Sequence, residues 1–286
     1  MQNILQVIKS KYQAQFPTSS TPPEFLIFFN DLPTNDFNTL FTSLPKQLNY
    51  FPAAVPGSFH GRLFPESSVH LVHAACAMHW LSKMPEELVD GNSPAWNKGR
   101  VHYTNAVEGV GRAYAKQFAE DMERFLSARA VEIVSGGMIV IIMAGVPHGM
   151  PYIQLPAGLM YDCMGSILME MATQGLVSED QVDGFNLPLY AASPEEMSDL
   201  VERNGEFSIE KMELTNPASW LKGPVDIRDW VIHMRAVLEK LFTTHFGSEI
   251  IDEFFERLVK SLSAISNQIE SSYREGIQLL AVLKRK

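Results

Sequence analysis

The sequence predicts an α/β protein in which a doubly wound sheet carries an α-helical cap. Two short, continuous apolar runs, at 25–29 and 138–144, are typical of strands buried on both faces. A long helical pattern over 106–134 runs into a glycine pair and then into the second of these strands, which is the order of a parallel crossover. Helical patterns at 157–204 and 226–269 interrupt the later strands. We therefore expect a Rossmann-like sheet with a helical cap inserted between its later strands.

The first part of the chain alternates helical and extended patterns. Apolar residues at helical spacing predict a helix over 2–16, and a loop is expected at 18–23. The strand at 25–29 leads to a short helix over 36–44 that begins at an Asn/Asp cap. Further strands are expected at 51–55 and 69–74, and a polar loop follows at 85–99.

The later part of the chain completes the predicted sheet and cap. Tyr114, Phe118, Met122 and Phe125 mark one face of the 106–134 helix, and the residues Ser135, Gly136 and Gly137 are expected to end it. Further predicted elements are helices over 157–173, 194–204, 226–243 and 249–269, a turn over 185–190, and strands over 207–214 and 277–283. We assign 1–152, 205–216 and 275–286 to the core, and 153–204 and 217–274 to the cap.

Composition limits the class of protein. The formal net charge of -10 argues against a partner that is a nucleic acid, because binding to phosphates needs a basic surface. The two cysteines do not suggest a disulfide framework, and a reducing, cytoplasmic setting is expected. The most apolar run, 138–146, is too short to span a bilayer, and the first 16 residues lack the order of a signal peptide.

Two features place candidate ligand contacts beyond the carboxyl ends of strands, where open α/β sheets bind their ligands. Asp31 follows the 25–29 strand and could accept hydrogen bonds from a ribose diol, although a turn-capping aspartate is the alternative. His79 and Trp80 follow the 69–74 strand, and each can donate one hydrogen bond. Two donors suit a carboxylate, while a core tryptophan beside a surface histidine is the alternative.

Other catalytic patterns are weak or missing. His70, His73, Cys76 and His79 lie three residues apart, which invites a zinc interpretation. In a strand, however, residues 70 and 73 point to opposite faces, so packed or hydrogen-bonded histidines are expected instead. The sequence contains no G-x-S-x-G, P-loop, H-E-x-x-H or C-x-x-C pattern, so nothing favours a hydrolase or a phosphotransferase.

Long motifs in these segments resemble the SABATH family of plant methyltransferases. They are PEFLIFFNDLPTNDFNTLF (23–41), PGSFHGRLFPESSVHLVH (56–73), HWLSKMPEEL (79–88), SPAWNKGRVHY (93–103), VDGFNLPLY (182–190) and LLAVLKRK (279–286). They follow the family's order and cover nearly all of the chain. The resemblance implies transfer of a methyl group from S-adenosylmethionine to the carboxylate of a small plant acid, which gives a methyl ester.

The resemblance also implies roles for individual residues. For the cofactor, it implies that Asp31 holds the ribose, that Leu32 lies against the adenine, and that Ser58 and Phe59 complete the adenosine site. For the substrate, it implies that His79 and Trp80 hold the carboxylate; the implied pocket residues are Cys76, Met160, Tyr161, Tyr190 and Met234. Cys76 stands where many members have tyrosine. A structural Mg²⁺ is implied at Asn97, Asp183, Asn186 and the backbone carbonyl of Phe185, and oxygen ligands fit this ion. A homodimer is implied as well.

The resemblance further implies that the family's first strand and glycine-rich loop would precede Met1, so that this chain is N-terminally shortened and lacks a central strand. Two alternatives to a carboxyl methyltransferase follow. One is an impaired homologue that acts as a binding or dimerising protein. The other is an N-methyltransferase of a purine-like ring, against which His79 argues, because the family's purine enzymes often carry glutamine at that position.

Overall fold

This computed structural model of the protein describes residues 2–17, 23–216, 225–272 and 277–286. Most of the loop predicted at 18–23 lies outside the described residues, as do 217–224 and 273–274 of the predicted cap and 275–276 of the predicted core. The chain forms two compact units, Met1–Leu63 and Phe64–Lys286. This boundary differs from the predicted division into core and cap, which stays a prediction.

The first unit is a two-stranded parallel sheet with two helices. Its elements are α1 (Gln2–Gln15), β1 (Leu26–Asp31), α2 (Phe37–Ser43) and β2 (Phe51–Pro56). Asp36 caps α2, because its side chain accepts a hydrogen bond from the backbone of Thr39 at 3.0 Å. Asn30 joins the carboxyl ends of the two strands by donating to the carbonyls of Val55 (2.8 Å) and Gly57 (2.9 Å).

The second unit is built on a four-stranded mixed sheet. Its strands are β3 (Val69–Ala75), β4 (Ile133–Ala144), β5 (Phe207–Thr215) and β6 (Gln278–Arg285), in the order β3-β4-β6-β5. The crossover from β3 to β4 through α3 (Glu108–Glu132) is parallel as predicted, while β6 pairs antiparallel with both of its neighbours. Alternate β4 residues such as Ile139, Ile141 and Met143 are buried, which places the core against one face of this strand.

Helices cover the sheet and build a separate apolar cluster. The remaining helices are α4 (Pro156–Thr173), α5 (Glu179–Asp183), α6 (Pro194–Asn204), α7 (Ile227–Phe246), α8 (Ile251–Ala264) and α9 (Ser266–Ser272). Helix α6 packs against β5 and α3, whereas α4, α7 and α8 bury their apolar faces against one another around Met164, Leu168, Phe242 and Phe254. The second group lies within the ranges predicted for the cap, whereas α6, from the same ranges, packs against β5 and α3; the division into core and cap stays a prediction.

The predicted fold class is confirmed as a mixed α/β architecture, and most predicted elements form within two residues of their expected ends. Three local predictions were wrong or incomplete. Residues 135–137 do not separate helix from strand but lie inside β4; α5 was not predicted; and the helix expected over 249–269 is broken at Ile265 into α8 and α9. The missing central strand stays a prediction; in the described residues β1 pairs only with β2, and β3 only with β4.

Gly136 and Gly137 allow a β-bulge in strand β4. The pairing of β3 with β4 changes register between Val69 and Leu71, so the chain at Gly136 and Gly137 must bend. Gly136 adopts a left-handed conformation with φ 79°. A Cβ atom at Gly137 would lie 2.6 Å from Cγ2 of Ile133 and 2.9 Å from the carbonyl oxygen of His70. Only glycine fits this close approach of two backbones.

Within the described residues, none of the helices has the length and apolar character needed to cross a bilayer.

Substitution of Gly137 by alanine should destabilise the second unit. The added methyl group meets backbone and side-chain atoms below 3 Å, and forcing such a contact costs about 1–3 kcal/mol. Urea denaturation of the variant should show this loss in the free energy of unfolding. Gly111→Ala is the matched control, because this α3 glycine has open space around its Cα and should gain up to about 1 kcal/mol of stability. Equal behaviour of the two variants would contradict the bulge interpretation.

Candidate functional site

His79 lies in a short turn that follows β3 at the carboxyl edge of the sheet. Strand β3 ends at Ala75, and Cys76 adopts a left-handed backbone conformation (φ 55°) that redirects the chain. The backbone N–H of Trp80 then donates to the carbonyl of Ala77 at 3.1 Å and closes the turn. The backbone N–H of Ala144, at the end of the adjacent strand β4, donates to Nδ1 of His79 at 3.4 Å. The imidazole is therefore held at the ends of two parallel strands.

Burial keeps the imidazole of His79 neutral. Desolvation lowers the pKa of His79 from 6.5 to about 4. Because Nδ1 accepts a hydrogen bond from Ala144, the proton of the neutral ring resides on Nε2. Near neutral pH, His79 therefore offers one N–H donor and no charge. A donor of this kind can bind a carboxylate oxygen without giving up a proton to it.

The segment 187–190 holds the turn from its other side. The N–H of Leu81 donates to the carbonyl of Pro188 at 2.8 Å, and the N–H of Tyr190 donates to the carbonyl of His79 at 2.9 Å. Trp80 and Leu189 form an isolated antiparallel bridge between these two bonds. The two loops therefore satisfy one another's backbone groups, which fixes the backbone positions of His79 and Trp80.

A buried histidine and a buried tyrosine support the segment 187–190 in turn. His102 is fully enclosed; its Nδ1 lies 2.7 Å from the hydroxyl of Thr104, and its Nε2 lies 2.9 Å from the carbonyl of Leu189. Desolvation lowers the pKa of His102 to about 3, so the neutral ring donates from Nε2 to Leu189. The hydroxyl of Tyr114 donates to the carbonyl of Leu187 at 3.0 Å. Sequence analysis assigned no role to either residue.

Four of the predicted substrate residues lie in or against one apolar cluster. Met160 and Tyr161 are buried on α4, and the half-buried Trp80 and Met234 pack against the same cluster. The ring of Tyr161 lies 4.6 Å from that of His102, which connects the cluster to the support behind the 187–190 segment. Cys76 is exposed at the end of β3 and belongs to no part of this cluster.

Tyr190 lies apart from the others and faces a cavity of about 450 Å³. Its hydroxyl lies 2.9 and 3.1 Å from the two carboxylate oxygens of Glu196 on α6, and its ring lies 4.9 Å from Phe118. Burial raises the pKa of Glu196 above its ordinary value. Tyr190 is the one predicted substrate residue among those that line this cavity, which also include Tyr103, Asn105, Val146, Met150 and Tyr152.

The predicted cofactor residues lie together in the first unit. Asp31 ends β1 opposite Pro56 of β2, so Asp31 and Ser58 lie near the carboxyl ends of two parallel strands. Oδ1 of Asp31 accepts from the N–H of Leu32 (2.8 Å) and from Asn35 (2.6 Å), as expected of a turn residue. Both Asp31 and Leu32 are exposed, and the neighbouring Phe59 is half-buried. The carboxylate can therefore serve the turn and still accept bonds from a diol.

The residues expected to hold Mg²⁺ lie in two segments of the second unit: the loop that carries Asn97, and the end of α5 with the residues that follow it. Nδ2 of Asn97 donates to Oδ1 of Asn186 (2.6 Å) and to the carbonyl of His102 (3.1 Å), and both asparagines are buried. Oδ1 of Asp183 accepts from the N–H of Gly99 at 2.7 Å. Oδ1 of Asn97 is a buried oxygen that has no hydrogen-bond partner in the described part of the chain. Phe185 is a buried core residue that stacks near Phe242.

The four sequence positions considered for zinc do not form a centre. His70 and His73 lie on β3, a strand, where residues 70 and 73 alternate between faces. Within the described parts of the chain there is no group of three or more His, Cys, Asp or Glu side chains that could hold a metal ion.

Comparisons with known proteins agree on one family. A family model described as SAM dependent carboxyl methyltransferase matches residues 1–286. Loganic acid O-methyltransferase of Catharanthus roseus is 43% identical over 100% of this chain and 76% of its own length. Farnesoic acid carboxyl-O-methyltransferase of Arabidopsis thaliana is 34% identical over 100% of this chain and 80% of its own. Probable caffeine synthase 2 of Camellia sinensis is 38% identical over 82% and 67%.

A solved structure is similar throughout the chain. The structure described as loganic acid methyltransferase with SAH superimposes with a TM-score of 0.94 at 43% identity, over 100% of this chain and 80% of that one.

The pKa of His79 makes the stability of the protein depend on pH. The unfolded chain binds a proton at this residue below about pH 6.5 and the folded chain only below about pH 4, so stability should fall as pH drops through this window. The contribution of this one residue is about 3 kcal/mol at most. Chemical denaturation from pH 7 to pH 4 should show a shallower decline for His79→Gln than for the wild type. The same series for His148→Gln, at an exposed histidine, controls for the replacement of a histidine by glutamine.

Proposed function

Because the chain belongs to the family of S-adenosylmethionine-dependent carboxyl methyltransferases, the SABATH family, we propose that it transfers a methyl group to the carboxylate of a small plant acid and forms its methyl ester. The observation that carries this proposal is the pair of neutral donors at the carboxyl edge of the sheet. Nε2–H of His79 and Nε1–H of Trp80 belong to adjacent residues, and the backbone of each is fixed by the 187–190 segment. A carboxylate accepts hydrogen bonds and donates none, so it matches two donors.

The reaction needs orientation more than proton transfer. S-adenosylmethionine supplies an activated methyl group when it is bound. A carboxylate is ionised at neutral pH, so the protein needs no general base to generate the nucleophile. His79 and Trp80 hold one carboxylate oxygen, or both, and thereby point a lone pair toward the methyl group. A neutral His79 is suited to this task, since an imidazolium would hold the carboxylate more tightly and lower its nucleophilicity.

The apolar side chains around Trp80 fit the remainder of an acid substrate. Met160, Tyr161 and Met234 provide a wall of thioether and aromatic groups, which adapt to irregular shapes. Tyr190, which faces the cavity of about 450 Å³ beside α6, would contact the substrate only from that cavity. Cys76 contributes a small, exposed side chain where many family members carry a tyrosine, so we expect room for a larger acid than those enzymes accept. Loganic acid, named in the relatives, is therefore the first substrate to test.

The cofactor residues fit the role proposed for them. Asp31 accepts hydrogen bonds at the end of β1, and a ribose diol donates two. Leu32 presents an exposed apolar side chain to an adenine ring, and Ser58 and Phe59 follow the neighbouring strand β2. These four side chains would bind the adenosine part of the cofactor.

A purine-like ring nitrogen is the second candidate acceptor. It is favoured by a relative whose name is probable caffeine synthase 2. The donor pair disfavours it, because a ring N–H that is to be methylated needs an acceptor, and His79 presents N–H rather than a lone pair. Turnover of xanthines with no turnover of acids would establish this alternative.

We also propose that a Mg²⁺ ion strengthens the two segments that carry Asn97 and Asp183. The fit rests on Oδ1 of Asn97, a buried oxygen without a partner among the described residues, beside Asn186 on the second segment. With Asp183 and the backbone carbonyl of Phe185, the set consists of oxygen ligands, as this ion prefers. Its role would be structural, since it would join the two segments that flank His102.

Two features of the whole assembly complete the proposal. We infer a homodimer from the family resemblance, and sedimentation velocity at micromolar concentration would test it. We infer a cytoplasmic location because Cys76 and Cys163 are both free thiols, which fits a reducing compartment.

Removal of either donor should slow methyl transfer. A hydrogen bond to a charged group contributes about 1.5–3 kcal/mol, so His79→Ala and Trp80→Phe should each lower kcat/KM for the acid by about 10- to 100-fold. The measurement is transfer of a labelled methyl group from S-adenosylmethionine to a panel of acids that includes loganic acid. His148→Ala controls for loss of a histidine and should keep the wild-type rate. Unchanged rates in both donor variants would show that the assigned roles are wrong.

Binding of Mg²⁺ should raise thermal stability. An ion that joins two segments binds only the folded chain, so Tm should increase with Mg²⁺ concentration and return after addition of EDTA. Asp183→Asn should reduce this increase, because it removes the one carboxylate of the set. Asp180→Asn, on the same short helix, is the control and should respond to Mg²⁺ as the wild type does. A Tm that is independent of Mg²⁺ would exclude the ion from this site.

A further inference from the structure

Asp121 is a buried carboxylate that has no role in the proposed chemistry. It lies in the middle of α3 and is 3% exposed. Its two oxygens are used by one residue of a distant loop: Oδ2 accepts from the backbone N–H of Ser82 at 2.7 Å, and Oδ1 accepts from the Ser82 hydroxyl at 2.6 Å. Gln117, one helical turn earlier, donates to Oδ1 at 3.0 Å. A cation, the guanidinium of Arg124, lies 3.9 Å from Oδ1 and is half exposed.

Ser82 ends the turn that carries the two donors. Four consecutive residues of this turn are held by other parts of the second unit. His79 is held by β4 and by Tyr190, Trp80 by its bridge to Leu189, and Leu81 by Pro188. Ser82 is held from α3, by Asp121 at 2.7 and 2.6 Å and by a longer bond of 3.4 Å that Nε2 of Gln117 donates to its hydroxyl. Helix α3 is the longest helix of the described residues, and it makes its shortest hydrogen bonds to this turn through Asp121.

Asp121 holds Ser82 by hydrogen bonds to a carboxylate, which are stronger than packing contacts alone. Taking a carboxylate out of water is costly, and its cost is offset here by three short or normal hydrogen bonds from neutral donors. Hydrogen bonds to an ionised acceptor are about twice as strong as those between neutral groups. Residues 81–83 belong to no helix or strand, so the chain that follows Trp80 is fixed by the Leu81–Pro188 bond and by the bonds between Ser82 and Asp121.

We propose that Asp121 is a positioning residue, which acts through Ser82 to set the orientation of His79 and Trp80 toward the substrate carboxylate. The inference rests on the proposed function, because it assigns those two side chains to substrate binding. Asp121 itself touches neither substrate nor cofactor. Its effect follows from geometry: a displacement of about 1 Å at a reacting group can cost about 100-fold in rate.

Asp121→Asn tests the proposal, and Glu132→Gln provides a matched control. Both residues are buried carboxylates on α3, but Glu132 binds Arg129 and the backbone of Phe64 at the far end of the helix. Each substitution replaces a carboxylate by its amide. We expect Asp121→Asn to raise KM for the acid about 10-fold and lower kcat, with KM for S-adenosylmethionine unchanged. Glu132→Gln should lower Tm and leave both constants of the folded enzyme as they are.

Two variants of Ser82 separate the hydroxyl contact from general stability. Ser82→Ala removes the bond to Oδ1 and keeps the backbone bond to Oδ2, so it should have a smaller effect of the same kind. Ser82→Thr keeps both donors and should restore kinetics close to the wild type. Equal kinetics for Asp121→Asn and Glu132→Gln, each corrected for the folded fraction, would overturn the proposal.

A spectroscopic readout keeps this test independent of turnover. In protein labelled with 5-fluorotryptophan, the ¹⁹F resonance of Trp80 is identified by its loss in Trp80→Phe. Asp121→Asn should shift or broaden this resonance, and Glu132→Gln should not. Should the wild-type chain transfer no methyl group to any acid, the proposed function fails, and an unmoved Trp80 resonance in Asp121→Asn would separately refute the positioning role.

Discussion

The interlock between the turn 79–82 and the segment 187–190 is the constraint on which the rest of the site depends. Neither loop is a helix or a named strand, so neither can satisfy all of its own backbone groups. Each provides the hydrogen bonds that the other lacks, at distances of 2.8 and 2.9 Å. The buried ring of His102 and the hydroxyl of Tyr114 hold the 187–190 segment in place by donating to the carbonyls of Leu189 and Leu187. The two irregular loops are thereby joined by backbone hydrogen bonds, as neighbouring strands of a sheet are.

Burial determines the charge of this site as well as its shape. His79 and His102 both have a pKa lowered by desolvation, to about 4 and about 3, so both rings are neutral near pH 7. The hydrogen bond that each ring accepts at Nδ1 leaves its proton on Nε2. In His102 this proton is used inside the protein, on Leu189. In His79 the equivalent proton has no such carbonyl partner among the described residues, and it is the one we assign to the substrate.

Sequence patterns predicted those elements of the fold that depend on local periodicity. The β3–α3–β4 crossover and the capped helix α2 follow from apolar spacing and from a cap residue, and both form. Residues 135–137 were misinterpreted because glycine after a helix normally signals its end, whereas here the close approach of His70 and Gly137 requires glycine inside a strand. Helix α5 was missed because five residues are too few to show a period.

Only the site residues that belong to a recognisable motif could be predicted from the sequence. His79 and Trp80 stand out as adjacent donors after a strand, and the family motifs name most of the remaining residues. His102, Tyr114 and Asp121 act through contacts across 87, 73 and 39 residues of sequence, and no local pattern reports such partners. Tyr190 was placed in the substrate pocket by resemblance, while the structure directs its hydroxyl to Glu196. Its role in the pocket depends on which side of the ring the substrate meets.

The account rests on a neutral His79 that presents Nε2–H. The most direct test is the ¹H–¹⁵N NMR spectrum of the histidine side chains, with His79 assigned by substitution. The account predicts a protonated Nε2 and an unprotonated Nδ1 from pH 7 down to about pH 5, and a shift of the Nε2–H resonance when a carboxylic acid is added. A His79 that titrates near pH 6.5, or that carries its proton on Nδ1, would contradict the assignment of this residue as the carboxylate donor.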